Sequence, residues 1–299
     1  ALGPSMRRLE PMPEGDTLRR LATAINDRFA NDVVERSMTR DPRLVGVDLT
    51  GRTLTAADAY GKHLFVRFDD GRSLHTHLLM TGSFVVGPPS REPEWKRRVE
   101  LWLGRGRLTG QSVPLLGMLP TADEHTLTDH LGPDLCAVDG PPDPAEIAAR
   151  LLRQPGEPLA GALLDQRHVA GFGNLYVNEV PFIAGVNPAQ PVGSIEGLTD
   201  LVAIGIALIR ANAECGPQNT TGRQLHKSAK WLHGVRHHLC PVCGTRLERW
   251  SERDSPWDRV TSWCATCQPL DEQAVADLDR ARHLIGLHPA VKQAAFPRQ

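Results

Sequence analysis

Apolar positions near the start of the chain recur at helical spacing. Leu18, Leu21, Ile25 and Phe29 form one stripe, which predicts a helix over 14–30. Pro13 suits its first turn, where a missing N–H costs nothing, and Glu14 and Asp16 suit the positive end of the helix dipole. From about 44 to 119 the pattern changes to short alternating runs divided by turn signals. Val45–Leu49, Thr53–Ala59, Leu64–Phe68, Ser73–His77, Ser83–Val86 and Val99–Leu103 are the expected strands, at the spacing of an antiparallel sandwich or barrel. Residues 120–145 carry five prolines and read as a linker with a short helix. Helical spacing then returns over Ala145–Leu152, Leu159–Gln166, Asn174–Ile183 and Ile195–Ala213. A loop at 216–222 ends that block, a cysteine unit occupies 238–267, and Asp271–Leu287 is amphipathic and expected to be helical.

Composition narrows the class. A chain of 299 residues is long enough for two domains and a small appendage. No run approaches the roughly 20 apolar residues of a membrane span, and Ala1–Pro11 has no secretory core, so a cytoplasmic chain without membrane association is expected. The net charge of −1 gives by itself no support to nucleic-acid binding. Its distribution is more telling. Between Arg210 and Cys267 stand nine Lys/Arg (Arg210, Arg223, Lys227, Lys230, Arg236, Arg246, Arg249, Arg253, Arg259) against five acids, with His226, His233, His237 and His238 nearby.

Four of the six cysteines form two pairs. Cys240-x-x-Cys243, twenty residues, then Cys264-x-x-Cys267 is the spacing of a four-cysteine zinc site. Four thiolates leave no open position, so the ion is expected to be structural. A redox pair is the competing reading. Arg246–Trp250 and Val260–Trp263 are expected to form a hairpin between the pairs, with Gly244 easing the turn and Arg259 available to a phosphate.

Two further stretches suggest chemistry. In Gly171-Phe172-Gly173-Asn174 the glycines allow close backbone approach, and Asn174 is placed to cap the next helix. The plain reading is a tight interhelical turn; the functional one is a phosphate site at a helix N-terminus. At Met12-Pro13-Glu14, a start methionine before a small residue can be trimmed. Pro13 would then be a secondary amine with a pKa of about 7.7–8.0, able to attack a carbonyl-like carbon and form a Schiff base, with Glu14 moving protons.

Pro13-Glu14-Gly15, Gly61-Lys62-His63-Leu64, His77-Leu78-Leu79-Met80-Thr81-Gly82, Asp165-Gln166…Gly171-Phe172-Gly173-Asn174 and the four cysteines occur in this order. Together they resemble the formamidopyrimidine-DNA glycosylase/endonuclease VIII family over about residues 12–268, closest to an actinobacterial endonuclease VIII-like branch. The resemblance implies an α+β fold: an N-terminal antiparallel β-sandwich with a leading helix, then a helix–two-turn–helix domain with a four-cysteine zinc-finger hairpin. It implies these divisions: 1–12 a leader or cloning remnant, 13–120 the sandwich, 121–144 a linker, 145–235 the helical domain, 236–268 the finger and 269–299 an extension. It further implies a monomeric DNA-repair glycosylase and AP lyase acting on damaged DNA by β,δ-elimination. Pro13 would be the nucleophile, Glu14 the proton shuttle and Lys62 a phosphate contact in the catalytic set. His77, Asn174 and Arg259 would contact DNA, Met80 would fill the gap left by a flipped base, and Cys240, Cys243, Cys264 and Cys267 would hold Zn2+. The short stretch between Gly222 and Cys240 favours oxidised pyrimidines; an 8-oxoguanine/formamidopyrimidine enzyme is an alternative. A second alternative is a non-catalytic protein of the same fold that binds damaged or open DNA. A zinc-ribbon transcription factor leaves the Pro-Glu-Gly start and the sandwich unexplained.

Overall fold

The computed structural model describes residues 13–214, 216–222, 229–234 and 238–285. The chain divides into two compact units, residues 1–130 and 131–299. Residues 1–12, and with them the leader, lie outside the described residues. So do Cys215, Arg223, His226, Lys227, Arg236, His237 and the last fourteen residues of the extension.

The first unit opens with α1 (Gly15–Phe29), whose Leu18, Leu21, Ile25 and Phe29 are all buried as the stripe predicts. The Glu14 carbonyl accepts the first helical bonds, from the Thr17 and Leu18 amides at 2.9 and 3.1 Å. Eight strands follow: β1 (Asp32–Thr39), β2 (Thr53–Tyr60), β3 (His63–Phe68), β4 (Arg72–His77), β5 (Ser83–Gly87), β6 (Arg97–Leu103), β7 (Gly106–Gln111) and β8 (Leu115–Pro120). All their pairings are antiparallel, in the order β5-β7-β6-β1-β2-β3-β4-β8. β1 joins the two halves. It pairs with β2 at Asp32–Val33 and with β6 from Val34 onward, with a register shift between Val34 and Arg36. A bulge of this kind bends a strand. Both halves and α1 then bury side chains in one core, Leu54, Leu64 and Val66 from one half with Phe84, Leu101 and Leu108 from the other. Each such side chain contributes about 1.5–3 kcal/mol on burial.

Two sequence expectations fail here. Val45–Leu49 is not a strand; the chain makes a 3-10 turn at Pro42–Leu44, where the Asp41 carboxylate accepts from the Arg43 amide, and continues as a loop. β1 lies instead at Asp32–Thr39, where only Val34 is buried and the alternation is too weak to read. A 3-10 segment, Thr121–Leu127, then docks on the sheet through Glu124, which binds Arg67 at 2.7 Å and accepts from the Ser73 hydroxyl.

The second unit holds α2 (Pro144–Leu151), α3 (Leu159–Leu164), α4 (Asn174–Ala184), β9 (Ile195–Glu196) and α5 (Leu198–Glu214). It continues with the hairpin β10 (Glu248–Trp250) and β11 (Thr261–Trp263), then β12 (Ala274–Val275) and α6 (Leu278–Ile285). α4 is buried along its whole length apart from Asn174, as a helix apolar on most faces must be. α5 passes close to the turn that leads into α4 at Gly205, where an added Cβ would lie 2.5 Å from the Phe172 ring. Two helical expectations need correction. Ile195–Glu196 is a strand rather than the start of α5, and it pairs in parallel with Ala274–Val275. That pairing takes the first part of Asp271–Leu287 out of helix, leaving α6 at Leu278–Ile285.

Candidate functional site

In the first unit, the course of α1 and the pairing of β3 with β4 place the singled-out residues as follows. α1 runs against β2: Asn26 bonds the Ala57 carbonyl and amide at 2.8 and 2.6 Å, while Arg19, two turns earlier, binds Asp58 and the Ala59 carbonyl. The helix start, Pro13 and Glu14, therefore approaches the end of β2 at which Gly61-Lys62 turns into β3. Glu14 is buried and Pro13 half-buried. On the neighbouring strand His77 is the cross-strand partner of His63, which puts it beside Lys62. Its Nδ1 accepts from the Leu79 amide at 3.1 Å. Burial pushes the His77 imidazole down to about 4, with the charges of His63 and Lys62 acting in the same direction, so at neutral pH the ring is uncharged.

The loop after β4 carries two large exposed apolar side chains, Leu79 at 44% and Met80 at 56%. Leu79 has φ +46°, a left-handed conformation that is rare and strained for a residue with a Cβ. The Gly82 amide bonds the Leu78 carbonyl at 2.8 Å, and Thr81 Oγ1 bonds the Ser112 carbonyl at 3.4 Å. Ser112 also has φ +46°. Two strained loops thus brace each other and hold Met80 outward, a geometry that accumulates at functional sites.

In the second unit the Gly171–Asn174 turn is tied by Gln166. Its amide donates to the Leu164 and Phe172 carbonyls at 2.8 and 2.9 Å, and its Oε1 accepts from the Gly171 amide at 3.0 Å. Gly171 has φ +121°, which only glycine adopts readily. Asn174 is not the cap that the sequence suggests. Gly173 occupies that position, and Asn174 is the first helical residue, so its side chain is free to reach another segment. It donates to the Val260 carbonyl at 3.0 Å, and Asn178 one turn on accepts from the Ser262 amide at 2.7 Å. The start of α4 therefore clamps the hairpin at the residue next to Arg259. Arg259 is exposed, with Nη1 on the Asp258 carbonyl at 2.6 Å. Sequence spacing shows no link between Asn174 and Arg259; the fold brings them together through Val260.

Beneath the hairpin lie the cysteines. The Sγ atoms of Cys240, Cys243, Cys264 and Cys267 are all within 4.8 Å of one another. Cys243 and Cys264 are 3.4 Å apart and Cys240 and Cys267 3.8 Å, far beyond a disulfide bond. Amides of Val242 and Cys267 point at the sulfurs of Cys240 and Cys264. The Thr245 hydroxyl and amide pull the Cys243 thiol down to about 6, while burial and the neighbouring sulfurs push Cys267 up to about 12. Four sulfurs packed this closely reach their thiolate forms together only around a cation, so the donor set fits a structural metal ion. Trp250 packs edge-on against Trp257 and at a tilt against Trp263, with ring centroids at 5.2 and 4.4 Å, and stiffens the hairpin.

Sequence reasoning missed two groups. One is His63 and His75, which join His77 on one face of β3 and β4. The other is Glu179, wholly buried in α4 and bonded to residues 220 and 231–233. Neither carries a spacing signal, because their partners are brought in by strand pairing or by a distant loop. Among the described residues, no helix is long and apolar enough to cross a membrane.

Comparison with known proteins follows the same two units. Residues 12–111 match the formamidopyrimidine-DNA glycosylase N-terminal domain and residues 132–204 the formamidopyrimidine-DNA glycosylase H2TH domain. A probable endonuclease 8 2 of Streptomyces coelicolor is 38% identical over 263 residues, 86% of this chain and 94% of the relative. A DNA-(apurinic or apyrimidinic site) lyase Nei2 of Mycolicibacterium smegmatis is 34% identical over 257 residues, 86% of this chain and 99% of the relative. Among solved structures, a Lactococcus lactis formamidopyrimidine-DNA glycosylase bound non-covalently to DNA with an AP site superposes with a TM-score of 0.71. It is 20% identical, covers 86% of this chain and all of that one, and so shows likeness of fold. A Thermus thermophilus MutM (Fpg) protein gives 0.69 at 26% identity over 87% of this chain and 100% of that one.

Proposed function

The chain belongs to the formamidopyrimidine-DNA glycosylase family, and on that footing we propose that it excises oxidised bases, pyrimidines by preference, and then cuts the DNA strand at the abasic site. The observation that carries the reading is the course of α1 along β2, which directs Pro13 and Glu14 toward the Gly61-Lys62 turn, with His77 beside Lys62 and Met80 on the loop that follows His77. The Pro13 nitrogen attacks C1′ of the damaged nucleotide. The C1′–N bond to the base breaks, and the departing base takes a proton. The amine gives up its own proton, the C1′–O4′ bond opens with O4′ taking a proton, and the resulting iminium makes the C2′ hydrogen acidic; its removal expels the 3′ phosphate, and loss of the C4′ hydrogen in a second elimination expels the 5′ phosphate. Glu14, one residue from the amine and in a buried setting, moves the protons. Lys62 holds a phosphate, and His77, neutral with Nδ1 accepting from Leu79, offers Nε2–H as a donor to another. Met80, flexible and already projecting, fills the space of the flipped base, whose extrusion costs a few kcal/mol.

Asn174 and Arg259 grip the backbone on the second unit. The four cysteines hold zinc, which makes the hairpin that carries Arg259 rigid and takes no part in the bond changes. The preference for pyrimidines rests on the short stretch between Gly222 and Cys240.

A peptide-bonded proline nitrogen has no lone pair to give, so the chemistry requires a chain that begins at Pro13. The family match beginning at residue 12 supports this. Borohydride reduction in the presence of thymine-glycol DNA should trap a covalent adduct of the chain beginning at Pro13, and the same chain with its N-terminal amine acetylated should trap none. Tight lesion binding without an adduct from that chain would favour the non-catalytic reading instead. Excision of 8-oxoguanine faster than thymine glycol would overturn the pyrimidine preference.

A further inference from the structure

α1 is pinned to β2 at two places on one of its faces. Arg19 and Asn26 are two turns apart, so their side chains leave the helix on the same side, about 10 Å from each other along its axis. Asn26 holds Ala57 by both its carbonyl and its amide. Arg19, nearer the helix start, grips the next two residues of the strand. Its Nη1 meets Asp58 Oδ1 at 2.7 Å, and its Nη2 donates to the Ala59 carbonyl. Asp58 Oδ1 also accepts from the Ala59 amide at 2.8 Å, which fixes the carboxylate in front of the guanidinium.

The far side of Asp58 is held as well. Its Oδ2 lies 3.5 Å from Arg67 Nη2, Arg67 binds both oxygens of Glu124, and Glu124 accepts from the Ser73 hydroxyl. Alternating charges therefore run from α1 across β2 and β3 to the 3-10 segment at Thr121–Leu127. The Arg19 side chain is only 13% exposed, so its link to Asp58 is shielded from water, unlike an open surface pair, which contributes little. An arginine suits the place because its planar fork reaches two acceptors at a fixed angle, where a lysine offers one compact charge.

The two segments joined in this way lead to the residues of the proposed chemistry. Going back along α1 from Arg19, the chain reaches Glu14 and Pro13; going forward from Ala59, it reaches Lys62. An amine at the very end of a chain takes its direction of attack from whatever holds the helix behind it, and a misplacement of about 1 Å costs about a hundredfold in rate. We infer that Arg19 is a positioning residue: through Asp58 and Ala59 it fixes the helix start that carries Pro13 and Glu14 against the strand end that leads to Lys62. It touches no reacting atom. The effect on rate rests on the proposed function, whereas the coupling of helix to strand does not.

The test uses the zinc-loaded chain beginning at Pro13 and duplex DNA with one abasic site, so that strand cutting alone is read. Arg19→Met keeps the apolar stem and removes the fork. Under single-turnover conditions it should cut at least tenfold more slowly than the parent, with affinity for the DNA within threefold. Arg19→Lys still reaches one acceptor and should cut at least threefold faster than Arg19→Met. Asp58→Ala should slow cutting at least threefold, and adding it to Arg19→Met should slow it no further, because both act through one link. In amide exchange without DNA, Arg19→Met should quicken Thr17, Leu18 and Ala59 together, while Ala57, held by Asn26, keeps its protection. Cutting by Arg19→Met within threefold of the parent, a loss of rate matched by a loss of affinity, or no recovery in Arg19→Lys overturns the positioning role. Asp58→Ala leaves Arg67 paired with Glu124 and guards against a folding defect in Arg19→Met; parent-like cutting by it overturns the role as well. A parent chain that binds abasic DNA and never cuts it overturns the proposed function instead, and the exchange pattern then decides the coupling: unchanged exchange at Thr17, Leu18 and Ala59 overturns it.

Discussion

Glu179 concentrates more of the second unit's polar bonding than any residue the motifs point to. It has no exposed surface, and both its oxygens are doubly used. Oε1 accepts from the Leu232 and His233 amides at 2.7 Å each, and Oε2 from the Trp231 amide at 2.7 Å and the Thr220 hydroxyl. Burial pushes its carboxyl up, and the four donors pull it back toward the ionised form. A glutamine here has one oxygen in place of two. In either orientation its NH2 faces a backbone N–H, so at least one amide donor is left buried and unpaired. Glu179→Gln should therefore lower the unfolding free energy by about 2–3 kcal/mol, read from urea midpoints. A change within about 0.5 kcal/mol would show that the carboxylate does not organise this loop. From the sequence Glu179 is simply an acid in a helix, since its partners come 41 to 54 residues later. Pro13 and Glu14, by contrast, are legible because neighbouring residues in the chain give them their setting.

At the scale of elements, the finger hairpin depends on two supports, the cysteine cluster below it and the start of α4 beside it. β10 and β11 pair over three residues each, too few to stand alone. Chelation of the metal leaves four crowded sulfurs with nothing to hold them. It should shift the fluorescence of Trp250, Trp257 and Trp263 and remove exchange protection from the Ser262 amide. Asn178→Ala should speed exchange at Ser262 even with the metal bound, because it removes the acceptor at 2.7 Å. Retained protection at Ser262 after chelation would mean that packing alone holds the hairpin. The hairpin was readable from its cysteines, and α1 and α4 from their apolar spacing. β1 and the β9–β12 pair were not. β1 buries only Val34 fully, and a two-residue parallel pair between segments almost eighty residues apart has no local pattern.

For the molecule as a whole, the net charge of −1 makes DNA binding a matter of placed contacts rather than of a broad field. The segment from Arg210 to Cys267 is basic by count, but its charges are not equally available. Arg210 is taken up by the Leu135 and Ala137 carbonyls at 3.2 and 3.0 Å. Within the hairpin Arg246, Arg249, Arg253 and Arg259 alternate with Glu248, Glu252, Asp254 and Asp258, all exposed, so the two signs balance. Of these, Arg259 is next in the chain to Val260, whose carbonyl the α4 clamp holds. Each neutralised phosphate contributes about 0.9 to the slope of log affinity against log salt. With Lys62 and Arg259 as the proposed cationic contacts and His77 uncharged, the slope for duplex abasic DNA should be shallow, near about −2. Arg259→Ala should reduce its magnitude by about 1, whereas Arg253→Ala should leave it unchanged. A slope near about −8, or equal losses from both substitutions, would mean that a diffuse basic surface does the binding and that the Asn174–Val260–Arg259 arrangement has no special part in it. The comparison is decisive because the two arginines share an element, a charge and an exposure class, and differ only in what the fold sets beside them.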